Sequence, residues 1–285
     1  MNEAIKQMLK RYDTSTIQKE ELALHEILQE LALLGLWRGK FFEVGAFCGG
    51  TALRVLFQLD RFSEDLDFTL IKPNPDFSLS PYFSSIEKEM KAYGFNVTIT
   101  RKEKTVKTPI ESAFIKADTA IHLIYIESKN KGHRGKKIKI KFEVDTSPCG
   151  AMEYDTRPVL LPTQFYVKSL APPYLFAEKM HAVLYRKWKN RVKGRDWYDF
   201  AWYVARSTPM SLDHLRRKII QSESFDSHFT LQEEKWRDLL AKRIDAVDFE
   251  MAKEDVRPFL LNPSNIDAWG RELFHHLADR IVTTH

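Results

Sequence analysis

Cysteine is nearly absent: 285 residues contain only Cys48 and Cys149. Neither has a CxxC partner or metal-ligand spacing in the sequence, which argues against a disulfide framework and points to reduced thiols in a cytoplasmic protein. Long hydrophobic runs are missing too. The longest, such as LALLGLW at residues 31–37, fall far short of a bilayer span, so no membrane partner is expected. The residues after Met1, NEAIKQMLKRYD, lack the apolar core of a signal peptide. There is no internal repeat and no low-complexity tract. Hydrophobic content of 44% with 29% charged residues excludes a disordered chain and is enough to bury a core.

What the chain does have is a surplus of positive charge. Its net charge is +5 and its pI is near 9.0. The surplus is concentrated in KNKGHRGKKIKIK at residues 129–141 and RKWKNRVKGR at residues 186–195. Such blocks are either solvated loops or surfaces for phosphate and nucleic acid, and charge alone does not choose between them.

Apolar periodicity predicts a helix over residues 16–34, with Ser15 and Gln18 as a capping box. KFFEVGAF (residues 40–47) reads as a strand running into Gly49–Gly50, TALRVLFQL (51–59) as a short helix and LDFTLI (66–71) as the next strand. A helix through SSIEKEMKAYG follows a proline-bearing loop. NVTITRK, AFIKA, IHLIYIE and KIKIKFEVD then read as strands, the last two forming a hairpin around the basic turn. From Pro172 the pattern is helical over residues 172–189, 196–206, 212–221, 231–246 and 266–282, with Thr230 and Glu233 as a further capping box. The expected fold class is α+β, a mixed sheet with flanking helices followed by an α-helical part. The expected boundary separates residues 1–155 from 156–285.

The chemistry starts at Asp65 and Asp67. Positions i and i+2 of a strand share a face, so the two carboxylates lie close together while Leu66 and Phe68 point into a core. Two like charges so placed suit either a solvated strand face or a hard cation with oxygen ligands. Gly49–Gly50, between a strand and a short helix, lets backbone amides approach an anion. No GK[ST] follows, so this is not a Walker A loop, and the helix is too short for a dinucleotide crossover.

Strand, glycine pair, short helix and then DxD on the next strand resemble the nucleotidyltransferase superfamily related to DNA polymerase β. Such enzymes usually carry a third carboxylate on a neighbouring strand. Glu143 and Asp145 in KIKIKFEVD are the candidates, on one face with Lys139 and Lys141. Glu143 lies deeper in the strand and is favoured as the third metal ligand beside Asp65 and Asp67. The alternative is a solvent-facing row of charges.

Further along, Lys179 falls inside the apolar stripe of FAEKMHAVLYRK, either as a snorkelling border residue or aimed at a ligand. In KGRDWYDF, Asp196 and Asp199 stand i,i+3 on one helix face, with Asp196 in the first turn, where a plain capping role is the alternative.

GGTAL, RFSEDLDF, AEKMHAVLYRK and KGRDWYDF, in that order, resemble the AbiEii/AbiGii toxin family of nucleotidyltransferase-like proteins. The resemblance implies Mg²⁺- or Mn²⁺-dependent transfer of a nucleoside monophosphate from an NTP to an acceptor, for some members the 3′ end of tRNA. It implies the toxin role of type IV toxin–antitoxin and abortive-infection systems, with a cognate antitoxin as partner. It carries over Gly49, Gly50, Thr51 and Ser63 as nucleotide-binding residues and Asp65 and Asp67 as metal ligands. Lys179 is implied to contact phosphate, and Asp196 or Asp199 to activate or position the acceptor. Two other readings stay open: a non-catalytic binding relative with the same fold, and an enzyme that nucleotidylates protein.

Overall fold

The protein is described by a computed structural model over residues 2–101, 119–128, 137–187, 191–223 and 231–284, with backbone alone considered at 100–101, 119–128 and 137. The strand expected at AFIKA, the turn of the basic hairpin, residues 188–190 of the second basic block and the Thr230 cap lie outside the described residues. The chain divides into two compact units. The first holds Met1–Gln58, Phe62–Pro148 and Tyr154–Ser169, and the second Leu59–Arg61, Cys149–Glu153 and Leu170–His285.

The first unit opens with α1 (Glu3–Leu9) and the long α2 (Ile17–Arg38). The cap of α2 is Thr16 rather than the expected Ser15, because the Ser15 amide is taken by the Asp13 carboxylate in a turn, while the Thr16 hydroxyl accepts from the Lys19 amide at 3.2 Å. There follow β1 (Gly45–Cys48), α3 (Gly49–Phe57), β2 (Leu66–Leu70), α4 (Ser80–Ala92), β3 (Phe95–Arg101), β4 (Thr119–Ser128), β5 (Lys137–Asp145), β6 (Tyr154–Val159) and β7 (Phe165–Leu170). Two differences from expectation bear on the site. Residues 41–43 form a 3₁₀ turn after Lys40 in the left-handed region (φ 64°), so β1 starts only at Gly45. Gly49 and Gly50 begin α3 itself.

The strands form one mixed sheet in the order β3-β4-β5-β2-β1-β7-β6. β2 runs antiparallel to β1 and parallel to β5, which places both neighbours of the DxD strand within reach of its carboxylates. β4 and β5 pair antiparallel as the hairpin pattern predicts. Alternation decides which side is buried. Leu66 and Phe68 of β2 and Ile140, Phe142 and Val144 of β5 enter a core shared with Ile27, Leu31 and Leu34 of α2 and Ile86 and Met90 of α4. Phe68 stands at its centre, with ring centroids 4.9 Å from Phe41, 5.2 Å from Phe47 and 6.1 Å from Phe142. Each fully buried side chain of this size contributes about 2 kcal/mol of transfer free energy, which fixes the register of β2.

The second unit contains α5 (Pro172–Tyr185), α6 (Gly194–Ala205), β8 (Met210–Ser211), α7 (Leu212–Glu223), α8 (Glu233–Ala246), α9 (Phe249–Val256), α10 (Arg271–Asp279) and β9 (Thr283–Thr284). Strands β6 and β7 and helix α9 have no counterpart in the sequence expectations. The helix expected over residues 266–282 is shortened by the extended Gly270, so that α10 starts at Arg271. Aromatic side chains fill the interior: Trp197 meets Phe274 edge-on at 5.3 Å, and Phe176 stacks on Tyr203 at 4.6 Å. α6 lies against α9 so closely that a Cβ on Gly194 would stand 1.8 Å from the Ala252 carbonyl oxygen.

Candidate active site

In the first unit the site is built on β1, α3, β2 and β5. Asp65 lies just before β2 and Asp67 within it, and both are half-buried while Leu66 and Phe68 between and beyond them are buried. The sheet register puts Cys48 opposite Asp67 on one side and Glu143 opposite it on the other. Glu143 therefore presents its carboxylate on the same face as Asp67. Asp145 pairs with Thr69 farther along, and its carboxylate accepts from the Ser147 amide at 3.0 Å at the end of the strand.

Gly49 has φ +74°, and a Cβ there would fall 2.3 Å from the Asp67 Oδ2. A side chain is thus excluded twice, by backbone conformation and by the carboxylate that occupies its place. No side chain caps α3, whose N-cap is Cys48. The first-turn amides of Gly49, Gly50 and Thr51 accordingly lie at the end of a helix that favours anions. Thr51 is fully buried and its hydroxyl donates to the Asp65 carbonyl oxygen, which ties the start of α3 to the start of β2. Ser63 is half-buried, and its carbonyl accepts from Gln29 Nε2 at 3.1 Å.

Lys141, two residues before Glu143 on the same face, forms an ion pair with it. Burial works against the ammonium, but Glu143, then Asp65 and Asp67, outweigh that and raise its pKa above the ordinary lysine value. A lysine drawn toward three carboxylates marks where positive charge is most favourable on this face. The three carboxylates offer hard oxygen donors, which suit a hard divalent cation such as Mg²⁺.

The second unit holds the other sequence candidates. Lys179 on α5 donates to Asp196 Oδ1 at 2.8 Å and lies 2.9 Å from Asp199 Oδ2, both on α6. Arg61 holds Asp199 in a fork, Nε to Oδ1 and Nη2 to Oδ2, each at 2.7 Å. Arg186 pairs with Asp196 Oδ2 at 2.9 Å. Asp199 is fully buried and Arg61 is 2% exposed, so this ion pair is desolvated. Burial opposes the charge of Lys179, yet Asp196 and Asp199 overcome it and hold its pKa above the usual lysine range. Burial likewise opposes the Asp196 carboxylate, but Lys179 and Arg186 lower its pKa to about 2. Three cations against two carboxylates leave one positive charge, on the side of the partly exposed Arg186.

Arg61 has no role in the sequence reading, and Arg186 enters it as the first residue of the second basic block. Arg61 lies inside the RFSEDLDF block, but a single arginine before a phenylalanine carries no periodic signal. Lys141 was within reach of it, since alternation along KIKIKFEVD places it beside Glu143.

A mixed sheet with DxD on the strand next to a glycine-led helix is the arrangement of a nucleotidyltransferase. A family profile described as "Nucleotidyl transferase AbiEii toxin, Type IV TA system" matches residues 31–272, and the chain belongs to that family and is a nucleotidyltransferase. Among solved structures it is similar to a candidate nucleotidyltransferase from H. pylori, with 16% identity, a TM-score of 0.50 and coverage of 90% of this chain and 92% of that one. It is also similar to JHP933 from Helicobacter pylori, with 17% identity, a TM-score of 0.47 and coverage of 92% and 88%. The first of these likenesses is one of fold alone. No curated protein sequence matches the chain. Among the described residues no helix is long and apolar enough to cross a membrane.

Proposed function

We propose that the protein is the toxin of a type IV toxin–antitoxin or abortive-infection system in the cytoplasm, and that it transfers a nucleoside monophosphate from an NTP to RNA, with the 3′ end of tRNA as acceptor. The observation that carries this reading is the set of Asp67 and Glu143 on two hydrogen-bonded strands with Asp65 just before the first of them, and with Gly49 packed against Asp67. The family description supports the toxin role and, with it, a cognate antitoxin.

In this reading Asp65, Asp67 and Glu143 hold Mg²⁺ (or Mn²⁺), which neutralises charge on the triphosphate when bound. The amides of Gly49, Gly50 and Thr51 and the hydroxyl of Ser63 bind phosphate oxygens. Lys179, aligned by Asp196 and Asp199, contacts a nucleotide phosphate, and Asp196 or Asp199 positions the acceptor. The acceptor hydroxyl oxygen bonds to the α-phosphorus as the bond to the bridging oxygen breaks. Pyrophosphate leaves with that electron pair, and the hydroxyl proton passes to a carboxylate oxygen of the group. The chain's contribution is orientation and charge compensation. The net charge of +5 favours a polyanionic acceptor and predicts binding that weakens with salt.

The test is incubation of the purified protein and Mg²⁺ with each α-labelled NTP in turn, in the presence of total tRNA or of a protein extract. The reading expects label at tRNA 3′ ends. Label in protein alone would overturn the choice of acceptor, and label nowhere would overturn the transfer itself.

A further inference from the structure

The second unit brings together another set of donors that the nucleotidyltransferase reading does not use. Cys149 comes from the segment Cys149–Glu153, Glu178 from α5 and His214 from α7. The Cys149 sulfur lies 3.7 Å from His214 Nδ1 and 4.0 Å from Nε2. His214 Nε2 lies 2.9 Å from Glu178 Oε1. One ligand atom from each of the three residues falls within 4.8 Å of the others.

Three separate segments thus deliver one thiol, one imidazole and one carboxylate to one point. Two atoms bound to a tetrahedral zinc at about 2.0–2.3 Å stand about 3.2–3.8 Å apart, so an ion fits once separations of up to 4.8 Å close by as much as about 1 Å through side-chain rotation. The surroundings hold the donors in place. His214 is 1% exposed and Cys149 9% exposed, and the Tyr174 ring meets the imidazole edge-on at 5.3 Å. Lys218, one turn after His214 on α7, stands 2.9 Å from Glu178 Oε1, the oxygen that also faces His214, and holds that carboxylate in place. Immediately after Cys149, Gly150 turns the chain through φ +80°, where the Arg217 side chain takes up the space of a Cβ.

We infer that Cys149, Glu178 and His214 form a site for one borderline divalent cation, with zinc as the class, distinct from the carboxylate site of the first unit. The donor set of sulfur, nitrogen and oxygen separates the two chemically, because Mg²⁺ avoids thiolate and zinc accepts it. On binding, Cys149 gives up its thiol proton and ligates as thiolate, His214 ligates through a ring nitrogen, and the fourth position is left to water. Such an ion cross-links α5 and α7 to the segment at 149. Glu178 directly precedes Lys179, so the ion also steadies the helix that carries that lysine.

The test uses the full chain freed of metal with chelator and titrated with Co²⁺. The expected result is one equivalent bound with a thiolate-to-cobalt charge-transfer band and the visible bands of a tetrahedral centre, displaced by one equivalent of Zn²⁺. Cys149→Ser abolishes the charge-transfer band, His214→Gln weakens binding at least tenfold, and Cys48→Ser leaves the spectrum unchanged. Zinc raises the melting temperature of the wild type and not that of Cys149→Ser. A folded wild-type protein that gives no such band overturns the inference, as does a band that survives Cys149→Ser or disappears in Cys48→Ser. The wild-type spectrum decides even where a variant fails to fold, and none of these readouts depends on nucleotidyl transfer.

Discussion

Arg61 and Asp199, separated by 138 residues in sequence, meet in a two-pronged ion pair in which the arginine is 2% exposed and the aspartate not at all. Removing one member of such a pair leaves the other as an uncompensated buried charge, a loss of about 3–5 kcal/mol. Arg61→Met should therefore destabilise the protein by about 3 kcal/mol, toward the low end because Lys179 still faces Asp199. Arg61→Lys should recover only part, since an ammonium lacks the fork. Equilibrium urea unfolding of the two variants measures both effects.

Asp196 predicts a pH dependence. Its carboxyl titrates at about 2 in the folded protein against an ordinary 3.8. A folded pKa below the unfolded one gives stability that is present above the unfolded value and lost as the pH falls through the folded one. The window is therefore pH 4 down to pH 2, and its size is on the order of 2 kcal/mol. Asp196→Asn should flatten this part of the stability curve while leaving the slope near neutrality unchanged. Denaturation midpoints taken at intervals from pH 2 to 5 check it.

Gly49→Ala introduces a Cβ that meets the Asp67 carboxylate in a left-handed backbone conformation. The backbone strain alone costs about 1 kcal/mol, and Asp67 must also move. Transfer activity should fall at least a hundredfold with a melting temperature lowered by only a few degrees, since displacement of a positioned group is felt far more in rate than in stability. Steady-state rates and a thermal melt on the same preparation separate the two.

Gly194→Ala acts the other way. Its Cβ would stand 1.8 Å from a backbone carbonyl, that of Ala252, which no rotamer change relieves. α6 and α9 must separate, at a cost of about 3 kcal/mol, near the upper end for overpacking. Thermal unfolding should show a fall in melting temperature larger than that of Gly49→Ala.

The sheet was legible where a strand alternates. KIKIKFEVD shows by period alone that Ile140, Phe142 and Val144 enter the core while Lys141 and Glu143 share the other face. The same rule placed Leu66 and Phe68 inward. Strands β6 and β7 were hidden by Pro158 and Pro162, which read as loop punctuation, and α9 by its brevity. The start of β1 at Gly45 depends on the left-handed Lys40, a conformation that a lysine does not advertise. Long-range pairs were hidden for a different reason. Arg61 with Asp199, and Cys149 with Glu178 and His214, are neighbours only through the packing of loops against helices distant in sequence, and no spacing in the sequence encodes that.

In the proposed function the carboxylate face of β2 and β5 carries the transfer. Its most direct test is the rate of α-labelled nucleotide incorporation into tRNA by wild type and by Asp67→Asn, at saturating Mg²⁺ and with matched melting curves. Losing a group that compensates transition-state charge should lower the rate by about three orders of magnitude or more, while the fold is kept. A variant that melts like the wild type and transfers label within a factor of a few of its rate would contradict the account.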